Sequence, residues 1–141
     1  MTDCVFCKII SKEIPAEILY ENDSVISVLD INPSHLVHAL ILPKQHCNEF
    51  LDLPDQTYHS LLQAARIVTT ALVQSLKLEG YNLFSNNGII AGQSVFHFHL
   101  HITPRYREDN IRFVLNLKKY PDGDLKRYGT MIRKFIQTPE L

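Results

Sequence analysis

The chain has 141 residues, 45% of them apolar, and a formal net charge of -1. That length suits a single folded domain with one core, and the near-neutral charge excludes a strong nonspecific attraction to nucleic acid. No apolar run reaches the ~20 residues of a membrane span, and Met1-Thr2-Asp3-Cys4 does not read as the opening of a secretory leader. The three cysteines, two of them as Cys4-x-x-Cys7, form an odd set that fits a reducing, cytoplasmic setting better than a disulfide framework. Charge is unevenly placed: residues 105–134 hold nine Lys/Arg against four Asp/Glu, and residues 1–104 hold five against ten. Two readings of the basic stretch stay open, a solvated face and a positive rim that attracts a polyanionic ligand.

In chain order, residues 4–10 suit a short helix or turn. Residues 18–20 and 25–29 are apolar runs around Glu21-Asn22-Asp23-Ser24 and read as a hairpin. Asn32-Pro33-Ser34 breaks the chain, and residues 39–42 read as a buried strand stopped by Pro43. Leu61, Ala65, Val68, Leu72 and Leu76 recur at spacings of three and four, which predicts a helix over 55–78. Asp55 would cap it, and Gly80 would stop it. Residues 81–85 predict a strand, 86–92 a loop, and 94–103 a long strand ended by Pro104. Leu125, Tyr128, Ile132 and Phe135 predict an amphipathic helix over 124–137. Antiparallel strands with helices inserted and appended give an α+β class.

Three of the seven histidines lie in His97-Phe98-His99-Leu100-His101. Alternate side chains of a strand share a face, so the three imidazoles point one way and Phe98, Leu100 and Ile102 the other, into the core. Such a face serves either a metal site or imidazole catalysis.

The run Gln93-Ser94-Val95-Phe96-His97-Phe98-His99-Leu100-His101-Ile102-Thr103 resembles the signature of the histidine triad family, His-x-His-x-His followed by apolar residues. Cys4-Val5-Phe6-Cys7-Lys8-Ile9-Ile10 is similar to that family's N-terminal segment. Leu29-Asp30-Ile31 with His38-Ala39-Leu40-Ile41-Leu42-Pro43-Lys44-Gln45-His46 is similar to its central strands, and Asn86-Asn87-Gly88 with Gly92-Gln93-Ser94 to its phosphate loop. The resemblance implies one domain over 1–141 with an antiparallel sheet of about five strands, a long helix and a C-terminal helix.

It also implies a nucleotide hydrolase or transferase. The substrate would be a purine nucleotide-type molecule, a nucleoside phosphoramidate or dinucleoside polyphosphate, cleaved at the α-phosphate. The middle histidine, here His99, would form a nucleotidyl-histidine that water or another acceptor resolves. Its other nitrogen would donate to a backbone carbonyl, by resemblance that of His101. Gln93, Ser94 and His101, with N–H groups near Gly92 and Ser94, would surround the phosphate. Asp30 would bind the ribose hydroxyls, and Phe6, Ile9, Val28 and Ile31 would form the base pocket. Asn86 would support the phosphate side, and His38 would act through the triad it packs beside. Val37 stands where many members have glycine. His101 favours hydrolysis, because the sugar-transferring branch carries glutamine there.

By spacing, Cys4-x-x-Cys7 is half of a zinc site; a redox pair or two unrelated thiols are the other readings. Resemblance to zinc-containing bacterial members implies that His46 and His97 complete a structural site. The family also implies a homodimer pairing the long helix and the strand after it across a two-fold axis. The competing readings are a non-catalytic nucleotide-binding or adaptor module with the same fold, and a metal protein using all three histidines.

Overall fold

The computed structural model describes residues 3–137. They divide into two compact units at the Ile111/Arg112 junction. The first opens with helix α1 (Val5–Ile10) and the hairpin of β1 (Ile18–Glu21) and β2 (Val25–Leu29). The Asn22 side-chain oxygen holds the turn, accepting the N–H groups of Ser24 and Val25 at 2.9 Å. There follow β3 (Ala39–Pro43), helix α2 (Asp55–Leu76), β4 (Gly80–Phe84) and β5 (Leu100–Arg105). The sheet runs in the order β1-β2-β3-β5-β4, with every neighbouring pair antiparallel. The last strand in sequence therefore lies between β3 and β4. The fold is α+β.

Both faces of the sheet are covered. Val25, Ala39, Ile41 and Ile102 pack with Leu61, Ala65, Val68 and Leu72, the apolar stripe of α2. On the other face Ile26, Val28, Leu40 and Leu42 gather with Phe6 of α1. The period of two along β2 and β3 thus sorts apolar residues into two cores.

Several boundaries differ from the sequence reading. Helix α2 begins after Pro54, which gives no side-chain cap, and it ends at Leu76. Lys77 stops it by taking a left-handed φ of 53°, and the Leu78 N–H then closes on the Val73 carbonyl at 3.2 Å. Gly80, expected to end the helix, instead opens β4. The long strand predicted from residue 94 begins only at Leu100. Before that, the chain bonds to a loop, with Phe98 N–H donating to the Cys47 carbonyl at 2.7 Å. Pro104 does not end β5. Its position pairs with Tyr81 of β4, while pairing to β3 has already stopped at Ile102, so the missing N–H interrupts no ladder on that side.

The second unit holds α3 (Asp124–Arg133), which starts after Gly123 and stops short of Phe135. None of its described residues is buried.

Candidate active site and metal centre

His97, His99 and His101 share a face although only His101 stands in β5. Phe98, Leu100 and Ile102 pack into the core beneath α2. On the opposite face the Phe6 ring meets His97 and His99 edge-on, at centroid distances of 5.9 and 5.0 Å.

The hydrogen bonds fix the tautomers. His99 Nδ1 lies 2.7 Å from the His97 carbonyl. A carbonyl only accepts, so Nδ1 carries a proton, and in the neutral ring Nε2 is the nitrogen with the lone pair. The partner is the carbonyl of His97 and not that of His101, as the resemblance implied. His101 is inside the ladder opposite Leu40 and Phe84, where its main chain belongs to the sheet.

A second chain of contacts starts at Ser34, whose N–H donates to His38 Nδ1 at 3.1 Å. His38 must then carry its proton on Nε2, which faces His101 Nδ1 at 2.9 Å. His101 in turn must hold its proton on Nε2. That atom is buried and has no partner among the described residues. Phe84 stacks on the His101 ring, 4.5 Å away and 10° from parallel. Burial, reinforced by the neighbouring His99 and His38, pushes the His101 imidazolium down to about 4. Burial likewise holds His38 below its usual value against the pull of Asp30. Asp30 Oδ2 comes within 3.9 Å of His38 Nδ1, yet that nitrogen is accepting from Ser34, so the approach is not an ion pair. The same commitment of lone pairs argues against a cation held by Asp30, His38 and His101, although their ligand atoms lie close together.

Asp30 is fixed at both ends. Its N–H donates to the His38 carbonyl at 2.8 Å, and its Oδ1 accepts from Asn32 at 2.9 Å. Phe6, Val28 and Ile9 belong to one apolar cluster. Ile31 does not join them; it follows the end of β2 and is 86% exposed.

In the loop, Gly92 adopts φ 90°, and a Cβ there would sit 3.8 Å from the Asn86 amide, so glycine serves this position. Gln93 is buried and spends its amide on the loop itself. Its nitrogen donates to Asn48 O at 2.6 Å and Val95 O at 3.1 Å, and its oxygen accepts Gly88 N–H at 2.8 Å. The Gly92 N–H is also taken, by Ile89 O at 3.0 Å. Both therefore shape the loop here, while Ser94 is exposed.

Cys4, Cys7, His46 and His97 bring four ligand atoms within 4.8 Å of one another. Cys7 Sγ is 3.3 Å from His46 Nδ1, and His97 Nδ1 is 3.4 and 3.5 Å from the sulfurs of Cys4 and Cys7. The sulfur–nitrogen edge of a tetrahedral zinc site is about 3.6 Å, from the usual bond lengths. The far nitrogens donate outward, His97 Nε2 to Pro43 O at 2.8 Å and His46 Nε2 to Asn48 Oδ1 at 3.1 Å. Both Nδ1 lone pairs thus face the centre. Burial, with Cys4 beside it, pushes the Cys7 thiol up, a cost that a cation removes. The residues fit zinc.

Residues 11–108 match the family model for the HIT domain. The chain belongs to the histidine triad (HIT) family. It is 40% identical over 137 residues to the adenylylsulfatase HINT3 of Arabidopsis thaliana, spanning 95% of this chain and 70% of that protein. A crystal structure of a HIT family member from Bacillus subtilis superposes with a TM-score of 0.91 at 33% identity, over 97% of this chain and 99% of that one. A zinc-bound HIT protein from Mycobacterium smegmatis superposes with a TM-score of 0.73 at 33% identity, over 94% and 91%.

The HIT match starts after Cys4 and Cys7, so the cysteine half of the metal centre lies outside it. Sequence reasoning gave no role of their own to Ser34, Asn48, Phe84 and Asn87. Asn87 ties the loop to the chain before α2, accepting Phe50 N–H at 2.8 Å. Phe84 was findable only from the register that sets it beside His101.

Proposed function

We propose that this HIT protein is a nucleotide hydrolase that cleaves a nucleoside phosphoramidate or dinucleoside polyphosphate at the α-phosphate through a nucleotidyl-His99 intermediate. The observation that carries this reading is the opposite protonation of two adjacent imidazoles. Neutral His99 offers a lone pair at Nε2, and His101 offers a buried N–H without an acceptor among the described residues. The first suits attack on phosphorus. The second suits the charge that develops on the oxygens around it or on the departing atom. His38 holds His101 in the donating tautomer. The remaining oxygen of Asp30 faces the ribose hydroxyls, and Phe6, Ile9 and Val28 accept a purine. The name of the Arabidopsis relative supports an adenylyl compound as substrate. A module that merely binds nucleotide gains nothing from this donor–nucleophile pair.

The metal centre would hold zinc through Cys4, Cys7, His46 and His97 and would supply structural cross-linking, with no position left open for water. The zinc-bound relative supports this, and thiols committed to a metal suit a reducing cytoplasm. We also propose a homodimer through α2 and β4. Strand β4 is an edge of the sheet, with Tyr81 and Leu83 45% and 47% exposed beside Leu62 at 67%.

Adenosine phosphoramidate and diadenosine polyphosphate, offered to the wild type and to His99→Ala, test the chemistry. The variant should lose turnover with both and keep nucleotide affinity. Near-normal turnover without His99 would sink the assignment.

A further inference from the structure

The cysteine–histidine cluster is wired into the reacting groups by two routes. The first runs through α1. Phe6, between Cys4 and Cys7 in the chain, lies against His99 at 5.0 Å, and the main-chain oxygen of the ligand His97 holds His99 Nδ1 at 2.7 Å. The second runs through Asn48. His46 Nε2 donates to Asn48 Oδ1 at 3.1 Å, Asn48 O accepts from Gln93 at 2.6 Å, and Gln93 Oε1 holds Gly88 N–H at 2.8 Å. The orientation of the nucleophile and the shape of the phosphate loop thus both hang on the four ligands.

The two sulfurs are placed to react with each other. They lie within 4.8 Å, and Cys7 N–H points at Cys4 Sγ at 3.4 Å, so both flank the first turn of α1. Both cysteines are half-buried and His46 is exposed, which leaves the sulfurs open to a small oxidant. Cys47 is 5% exposed and packed in the core under α2.

We propose that Cys4 and Cys7 form an oxidation-sensitive modification site whose disulfide switches off the chemistry at His99. The oxidant is a hydroperoxide. The two thiolates give up two electrons to its O–O bond, which breaks as the S–S bond forms. The peroxide oxygens take two protons from solvent and leave as water, or as water and an alcohol. Neutral disulfide sulfurs no longer ligate, so zinc departs to solvent as the dication. His46 and His97 lose their common centre, and α1 loses the tie that sets Phe6 against His99. The switch rests on the zinc and hydrolase readings above.

The test uses the full-length chain with Cys47→Ser as background, reduced and analysed for metal, then titrated with hydrogen peroxide. Zinc release is followed with a chromogenic chelator, and the Cys4–Cys7 link by intact mass after alkylation. Turnover of adenosine phosphoramidate and AMP affinity are measured in parallel. Zinc release and the link should rise together, turnover should fall about 10²-fold from misplacement of the nucleophile, and a dithiol with zinc should restore it. Full turnover in the disulfide form would overturn the proposal, as would loss of turnover without the link. Absence of metal in the reduced protein refutes only the zinc reading, because the link and turnover are still read together. If the reduced protein has no turnover, the hydrolase reading fails instead; the release of Phe6 from the apolar pocket should then weaken AMP binding on oxidation, and an AMP affinity untouched by the disulfide overturns the switch.

Discussion

His101 is kept neutral because its surroundings deny the imidazolium its water. This makes a stability prediction with a definite sign. The group titrates at about 4 in the fold against 6.5 in the free side chain. Below pH 6.5 the unfolded chain takes up a proton that the folded chain refuses until about pH 4. The stabilisation is therefore complete above that window and is lost as pH falls through it. Urea unfolding at pH 7 and pH 5 should show a loss on the order of 1–2 kcal/mol from this group. The loss should shrink in His101→Gln; an equal loss in both proteins would place its origin elsewhere. Single residues also show where sequence reasoning stops. Three imidazoles on one face were readable from alternation alone, but which carbonyl orients His99 was not, because it depends on where the ladder starts. Gln93 reads in sequence as a donor to phosphate, and in the fold its amide bonds Asn48, Val95 and Gly88, partners no local pattern reveals. Val37 takes a left-handed φ of 68°, a conformation strained for a β-branched side chain, at the position where by resemblance many family members have glycine.

At the scale of elements, the end of α2 offers the cleanest measurement. Lys77 is exposed, and its left-handed backbone carries a steric cost that glycine lacks. Lys77→Gly should raise stability by about 0.5–1 kcal/mol, since the Leu78-to-Val73 closure needs no side chain at that position. Thermal unfolding would read it, and a lowered midpoint would mean that the lysine has a role in the fold. The elements legible in sequence were those whose signal is local: the hairpin with its Asn22 turn, the α2 stripe, and the apolar run of β3. The ones misjudged at their boundaries, α2 at its end and β5 at its start, are decided by a backbone angle and by distant partners. Strand order was not legible either, because the placement of β5 between β3 and β4 is settled by pairing across the whole chain.

For the whole molecule, the proposed dimer makes a measurable claim. Light scattering at micromolar concentration should return about twice the 16.2 kDa of one chain. Leu83→Glu, on the outer part of β4, should return the single-chain mass with the fold intact, because a carboxylate on each copy would be forced against its symmetry mate. A single-chain mass for the wild type would refute the interface. No helix among the described residues is long and apolar enough to cross a membrane. The strand order also has a consequence in time. β4 pairs only with β5, and the open edge of β3 also waits for β5. A chain made from its N-terminus therefore carries two unsatisfied strand edges until residues 100–105 exist. Cys4, Cys7 and His46 likewise wait for His97. Sheet closure and assembly of the proposed metal centre and of the proposed nucleophile are thus deferred to one late event, and a nascent chain stalled before it holds three of the four proposed ligands and an incomplete sheet.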